Sequence, residues 1–169
     1  MTVMQKVTVA VLAISASAAL GANATKETAH LTVKTTQSAE AAAPGRKVSL
    51  FVDVTPKPKM HVYAPGQDGY ITINLTLEAN PAFTAAKAKY PAGEKVVIAI
   101  VKETQIVYAK PFRIAQDVTL ASTPDLRQRA ASETPVTIKG TLRYQACDDR
   151  ICYLPTNVPV EWAVKLTPR

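Results

Sequence analysis

Period-two alternation of apolar and polar residues recurs along the chain, each stretch cut off by proline, glycine or asparagine. Val48, Leu50, Val52 and Val54 share one face of Lys47 to Thr55, with Lys47, Ser49 and Asp53 opposite. Tyr70 to Glu78 alternates through Ile71, Ile73, Leu75 and Leu77. Two longer runs close the chain: Val136, Ile138, Gly140, Leu142 and Tyr144, then Val158, Val160, Trp162, Val164 and Leu166. Such alternation predicts half-buried strands. Weaker strands are predicted at Ala29 to Thr36, Met60 to Pro65, Ile106 to Tyr108 and Phe112 to Leu120, and the apolar run Val96 to Val101 suits a buried strand. Thr25 to Thr28 is a polar arm.

Helix is sparse in this reading. Phe83 to Tyr90 favours one or two helical turns through Ala85, Ala86 and Ala88, and Asp125 to Ala130 one more within a polar loop. Pro56 and Pro58 lack an N–H and force a loop. Seven to nine short strands at roughly 10–15-residue spacing, with 12 prolines and no long helix, predict one antiparallel β-sandwich of immunoglobulin type. The two cysteines stand too close together to bridge its sheets as in antibody domains.

Composition adds an export signal. Residues 1–24 hold a single charge, Lys6, then the apolar and small run Val7 to Leu20 and the small-x-small triplet Ala22-Asn23-Ala24. This predicts a secretory leader cleaved after Ala24, and no cysteine lies near that cut to take a lipid anchor. Cleavage would leave residues 25–169, 145 of the 169, as one domain that does not span the membrane. The net charge of +7 comes from scattered Lys and Arg, not interleaved with aromatics, so no nucleic-acid partner is expected.

The candidate chemistry lies between the last two strands. Cys147 and Cys152, the only cysteines, are separated by four residues and fall on the predicted hairpin tip, exposed enough to meet another protein. An exported pair is oxidised at rest unless something reduces it. Three uses are open. A structural bridge would close a six-residue ring contributing roughly 2 kcal/mol, which a sandwich of this size does not need. Two thiolates with His61 or His30 would suit zinc or copper(I), although no second Cys or His pair stands nearby. The third use is reversible thiol–disulfide exchange. Asp148 and Asp149 would raise a neighbouring thiol pKa and Arg150 lower it. His30 reads as a solvated strand residue, whereas His61 shares a strand face with Tyr63. Phosphate-loop, Gly-x-Ser-x-Gly and His-Glu-x-x-His motifs are absent.

Tyr144-Gln145-Ala146-Cys147 with Cys152-Tyr153-Leu154-Pro155 resembles the amino-terminal periplasmic domain of the DsbD family of transmembrane thiol:disulfide reductases. Pro44-Gly45, Met60-His61-Val62-Tyr63, Gly69-Tyr70-Ile71, Val107-Tyr108 and Pro111-Phe112 fit the same family, so the likeness runs from about residue 30 to 166. The resemblance implies an immunoglobulin-like fold, a periplasmic location and no cofactor. It makes Cys147 and Cys152 the redox-active pair, with Tyr63, Tyr144 and Tyr153 as neighbouring site candidates. It also implies a part in protein-disulfide reduction: electrons from a membrane thiol donor of the DsbD transmembrane type, delivered to thioredoxin-like or isomerase clients. The rival is a non-enzymatic immunoglobulin-like binding module with a structural bridge. Three departures stand out. The cysteine spacing is four where the best-known members have five. The shielding cap loop of the family should fall near Val97 to Thr104, where Ile98 to Glu103 holds no aromatic residue. The sequence ends at Arg169 with neither a membrane domain nor a thioredoxin-like domain, so the electron donor would belong to another polypeptide.

Overall fold

The computed structural model describes residues 24–98 and 103–168. The predicted leader, apart from Ala24, lies outside them. The strands are β1 (Thr25–Glu27), β2 (Leu31–Gln37), β3 (Ala41–Ala42), β4 (Lys47–Pro56), β5 (His61–Tyr63), β6 (Asn74–Leu77) and β7 (Phe83–Ala85). They continue with β8 (Glu94–Ile98), β9 (Glu103–Tyr108), β10 (Phe112–Leu120), β11 (Val136–Tyr144), β12 (Ala146–Cys147) and β13 (Thr156–Leu166), with the helix α1 (Pro124–Ala131) after β10. One sheet has the order β1-β2-β4-β10-β7 and the second β3-β13-β11-β6. These are the two layers of the predicted immunoglobulin-like sandwich. A third, smaller sheet, β12-β5-β9-β8, sits where the β11–β13 hairpin ends.

Alternation decides the core. Val48, Leu50, Val52 and Val54 of β4 face Ile138, Leu142, Val160, Trp162 and Val164 of β11 and β13, all buried. Period-two patterning places every second side chain inside, as a sheet with one covered face requires. The Trp162 indole N–H donates to the Thr36 carbonyl at 2.9 Å and the Phe51 carbonyl at 3.3 Å, tying β13 to the opposite layer. A buried indole without that partner would forfeit a hydrogen bond to water.

The structure has more strands than the 7–9 expected, because pieces as short as β3 and β12 are defined by their partners and carry no pattern of their own. The polar arm is one of these, since β1 pairs with β2 from Thr25↔Lys34 to Glu27↔Thr32. Phe83 to Tyr90 is not helical. Ala85 pairs with Val118, and the N–H groups of Ala86 and Lys89 donate to the carbonyls of Asp117 and Ala115. The open edge of β10 satisfies the backbone there, and the few tenths of a kcal/mol by which alanine favours helix are outweighed. The helical turn predicted at Asp125 to Ala130 is α1, capped by the Thr123 side chain accepting from the Leu126 N–H. Val96 to Val101 is not a buried strand where described: Val97 is 69% exposed on β8, and residues 99–102 fall outside the description. Among the described residues no helix is long and apolar enough to cross a membrane.

Candidate functional site: a half-buried disulfide

β11 and β13 pair without a break from Val136↔Val164 to Tyr144↔Thr156, leaving residues 145–155 as the hairpin tip. The tip keeps an antiparallel bridge of its own, Cys147↔Cys152. On their other edge Ala146 and Cys147 pair with Val62 and His61 of β5, and Val62 and Tyr63 pair with Tyr108 and Val107 of β9. Cys147 is therefore a member of the third sheet, and its side chain lies on the face shared by His61 and Tyr63. Gly69, with φ 77°, turns the chain so that Tyr70 returns beside Tyr63, the two rings 4.2 Å apart. Gly93 permits the start of β8 to close on this sheet: a Cβ there would lie 2.6 Å from Ala64 Cβ and 2.7 Å from Ile106 Cγ2.

Cys147 and Cys152 are joined by a disulfide, with Cα atoms 4.0 Å apart. The two sulfurs live in different surroundings. Cys147 is 1% exposed and packs with Tyr63 and Val107 in a small apolar cluster separate from the sandwich core. Cys152 is exposed, and so are Ile151 (56%) and Leu154 (86%) beside it. The expectation of an exposed pair thus holds for one sulfur only, because β12 tucks the other under β5. The Tyr63 hydroxyl lies 3.4 Å from Cys147 Sγ and 3.5 Å from Cys152 Sγ. Disulfide sulfurs carry no hydrogen, so Tyr63 is the donor. Burial, followed by Tyr70, raises the Tyr63 pKa, and the hydroxyl keeps its proton.

The ring between the cysteines is shaped by Asp148. Its Oδ1 accepts from the backbone N–H of Arg150 (2.7 Å) and Ile151 (2.9 Å), and its Oδ2 from the Tyr153 hydroxyl (2.8 Å). These donors, the Ile151 amide first, hold its pKa below the ordinary carboxylate range. Tyr153 is fixed at both ends, its N–H donating to the Ala146 carbonyl and its ring 4.5 Å from that of His30. His30 is accordingly half-buried against the tip and not solvated. Tyr144 belongs to the sandwich core, its hydroxyl donating to Thr28 Oγ1 at 2.9 Å, away from the sulfurs. Of the three tyrosines suggested by resemblance, the structure brings Tyr63 to the disulfide, sets Tyr153 against the ring, and leaves Tyr144 as a floor beneath the hairpin.

The shape-giving role of Asp148 escaped the sequence reading, which weighed only its charge. An aspartate two and three residues ahead of backbone N–H groups in a short loop is a turn signal that could have revealed it. Tyr70 also carries more than the sequence suggested: its hydroxyl donates to Glu103 Oε2 (3.1 Å) and accepts from the buried Gln105 amide (2.9 Å), bracing the Tyr63 ring. Among the described residues there is no group of three or more His, Cys, Asp or Glu arranged to hold a metal ion.

A family model described as "Thiol:disulfide interchange protein DsbD, N-terminal" matches residues 28–161. The chain belongs to that family. The matched span includes Cys147 and Cys152, and the disulfide between them supports a thiol–disulfide exchange domain. The N-terminal periplasmic domain of ScsB from Proteus mirabilis superposes with a TM-score of 0.52 at 14% identity, over 80% of this chain and 47% of that one. This chain thus spans about half the length of that ScsB chain, and the likeness concerns the fold. The GAE domain of yeast GGA1 matches at a TM-score of 0.44 and 9% identity, over 80% of this chain and 94% of that one. No curated protein sequence matches the chain.

Proposed function

We propose that residues 25–169 form an exported domain that relays reducing equivalents in the periplasm, taking them from a membrane-bound dithiol and passing them to oxidised proteins through Cys147 and Cys152. The observation that carries the reading is the asymmetry of the disulfide: one sulfur open at an apolar tip, the other sealed under Tyr63. An incoming thiolate reaches Cys152 Sγ, displaces Cys147 as the leaving sulfur and forms a mixed disulfide with Cys152. The departing charge forms beside the Tyr63 O–H, a donor already in place. Ile151 and Leu154 offer the apolar rim on which a partner's active-site surface would rest. Asp148 keeps the tip folded through four hydrogen bonds along the ring, counting that of its own N–H to the Ile151 carbonyl, so both sulfurs stay within bridging range in the dithiol state. The same bonds make a staple redundant and weigh against a purely structural bridge.

Two single-cysteine variants test the relay. Cys147→Ser leaves the exposed sulfur and should accumulate mixed disulfides with dithiol or client proteins in a periplasmic extract. Cys152→Ser leaves the buried sulfur and should trap far less. Equal, negligible trapping by both, with a reduction potential well below about −300 mV, would mark an inert bridge on a binding module.

A further inference from the structure

The exchange reaction needs a proton acceptor that the apolar surroundings of Cys147 do not supply. When the reduced domain passes electrons on, Cys152 attacks a client disulfide and is left in a mixed disulfide. Cys147 must then attack Cys152 Sγ, and only its thiolate can do so. Its surroundings favour the neutral thiol, because burial in apolar packing raises a thiol pKa. Water is excluded: Cys147 is 1% exposed, with Tyr63 and Val107 packed on it.

One ionisable side chain capable of taking that proton stands opposite. His61 is the residue paired with Cys147 in the β5–β12 ladder. Residues directly opposed in an antiparallel pair project to the same face, with Cβ atoms about 5 Å apart. The imidazole is half-buried and meets the Tyr63 ring edge-on at 5.9 Å, and Tyr63 in turn packs on Cys147. We infer that His61 is the base that deprotonates Cys147 during re-formation of the disulfide, an inference that rests on the exchange function proposed above. In balance, the Cys147 thiol gives its proton to the imidazole and its thiolate attacks Cys152 Sγ. The Cys147–Cys152 bond forms, and the client sulfur leaves with the electron pair of the mixed disulfide. Two electrons have then passed from the domain's dithiol to the client's disulfide.

The groups facing His61 suit this task. Asp148 and Asp149 of the tip favour its charged form, and burial, the larger effect, favours the neutral form, so its pKa lies below the ordinary histidine value. Tyr63 presents a neutral hydroxyl from the same strand, while β9 contributes Val107 and Tyr108, neither of them charged. A neutral imidazole is ready to accept, and the two carboxylates steady the imidazolium once formed.

Ellman's disulfide separates the steps, since the fully reduced protein should release one thiolate dye as Cys152 attacks and a second as Cys147 closes the ring. In the His61→Gln variant the first phase should stay within about twofold of wild type, and the second should slow by about 10²-fold, the usual scale of a positioned general base. The wild-type second phase should lose rate as pH falls through the His61 titration, and the variant should lack that limb. Added imidazole should restore part of the rate in His61→Ala. A second measurement uses unaltered protein: the His61 ring, followed by NMR, should titrate at a different pH in the disulfide and dithiol states. An unchanged second-phase profile in the variant, or the same His61 titration in both states, would overturn the inference and leave the relay standing. No dye release from reduced wild type would remove the exchange function itself, and the inference with it.

Discussion

Replacing Tyr63 with phenylalanine deletes one oxygen and little else. The residue is 2% exposed, its ring stays packed at a tilt against Tyr70, and no large cavity opens. What disappears is the only O–H within hydrogen-bonding range of both sulfurs among the described residues, at 3.4 and 3.5 Å. In the disulfide this contact is weak, because neutral sulfur is a poor acceptor. As an external thiolate attacks Cys152, negative charge builds on Cys147 in a site closed to water, and the same O–H becomes a donor to an anion. Hydrogen bonds to charged groups contribute about 1.5–3 kcal/mol, and the long, diffuse contact to sulfur argues for the lower part, about 1.5–2 kcal/mol. That is about a 10- to 30-fold loss in rate. The assay is the second-order reduction of the oxidised domain by a small dithiol at neutral pH, quenched with acid and read by thiol alkylation. Tyr70→Phe is the control, since its hydroxyl meets Glu103 and Gln105 but neither sulfur, and it should react within about twofold of wild type. If Tyr63→Phe also reacts within twofold while thermal unfolding shows it folded, the hydroxyl does not stabilise the leaving sulfur and the asymmetry argument loses its electrostatic half.

Other consequences follow from the same contacts. Asp148 has its folded pKa depressed, so its contribution to tip order is present above the ordinary carboxylate value of about 3.9 and is lost as pH falls through the folded value. The Arg150 and Ile151 amide resonances should titrate together with a midpoint below that value; a midpoint at or above it would contradict the assigned bonds. Truncating the fully buried Trp162 to alanine should cost about 3–5 kcal/mol in urea unfolding, a large share of a typical domain's stability. A loss below about 1 kcal/mol would mean that the indole does not join the layers as described.

Strand positions and the inward face of each could be read from the sequence, because alternation is a local property and a face that packs must be apolar at every second residue. Val136 to Tyr144 and Val158 to Leu166 were legible for that reason, and the four-residue cysteine spacing placed the pair on the tip between them. Tertiary structure decided what depends on partners from elsewhere in the chain. It made Phe83 to Ala85 a strand by offering the edge of β10, and it laid the free edge of Ala146 and Cys147 against β5. That second choice separates the two sulfurs into one sealed and one open. It also sets His61, 86 positions before Cys147, directly across the ladder. Local sequence carries no record of such pairing, since the hydrogen bonds and packing that fix it exist only once the sheets have met.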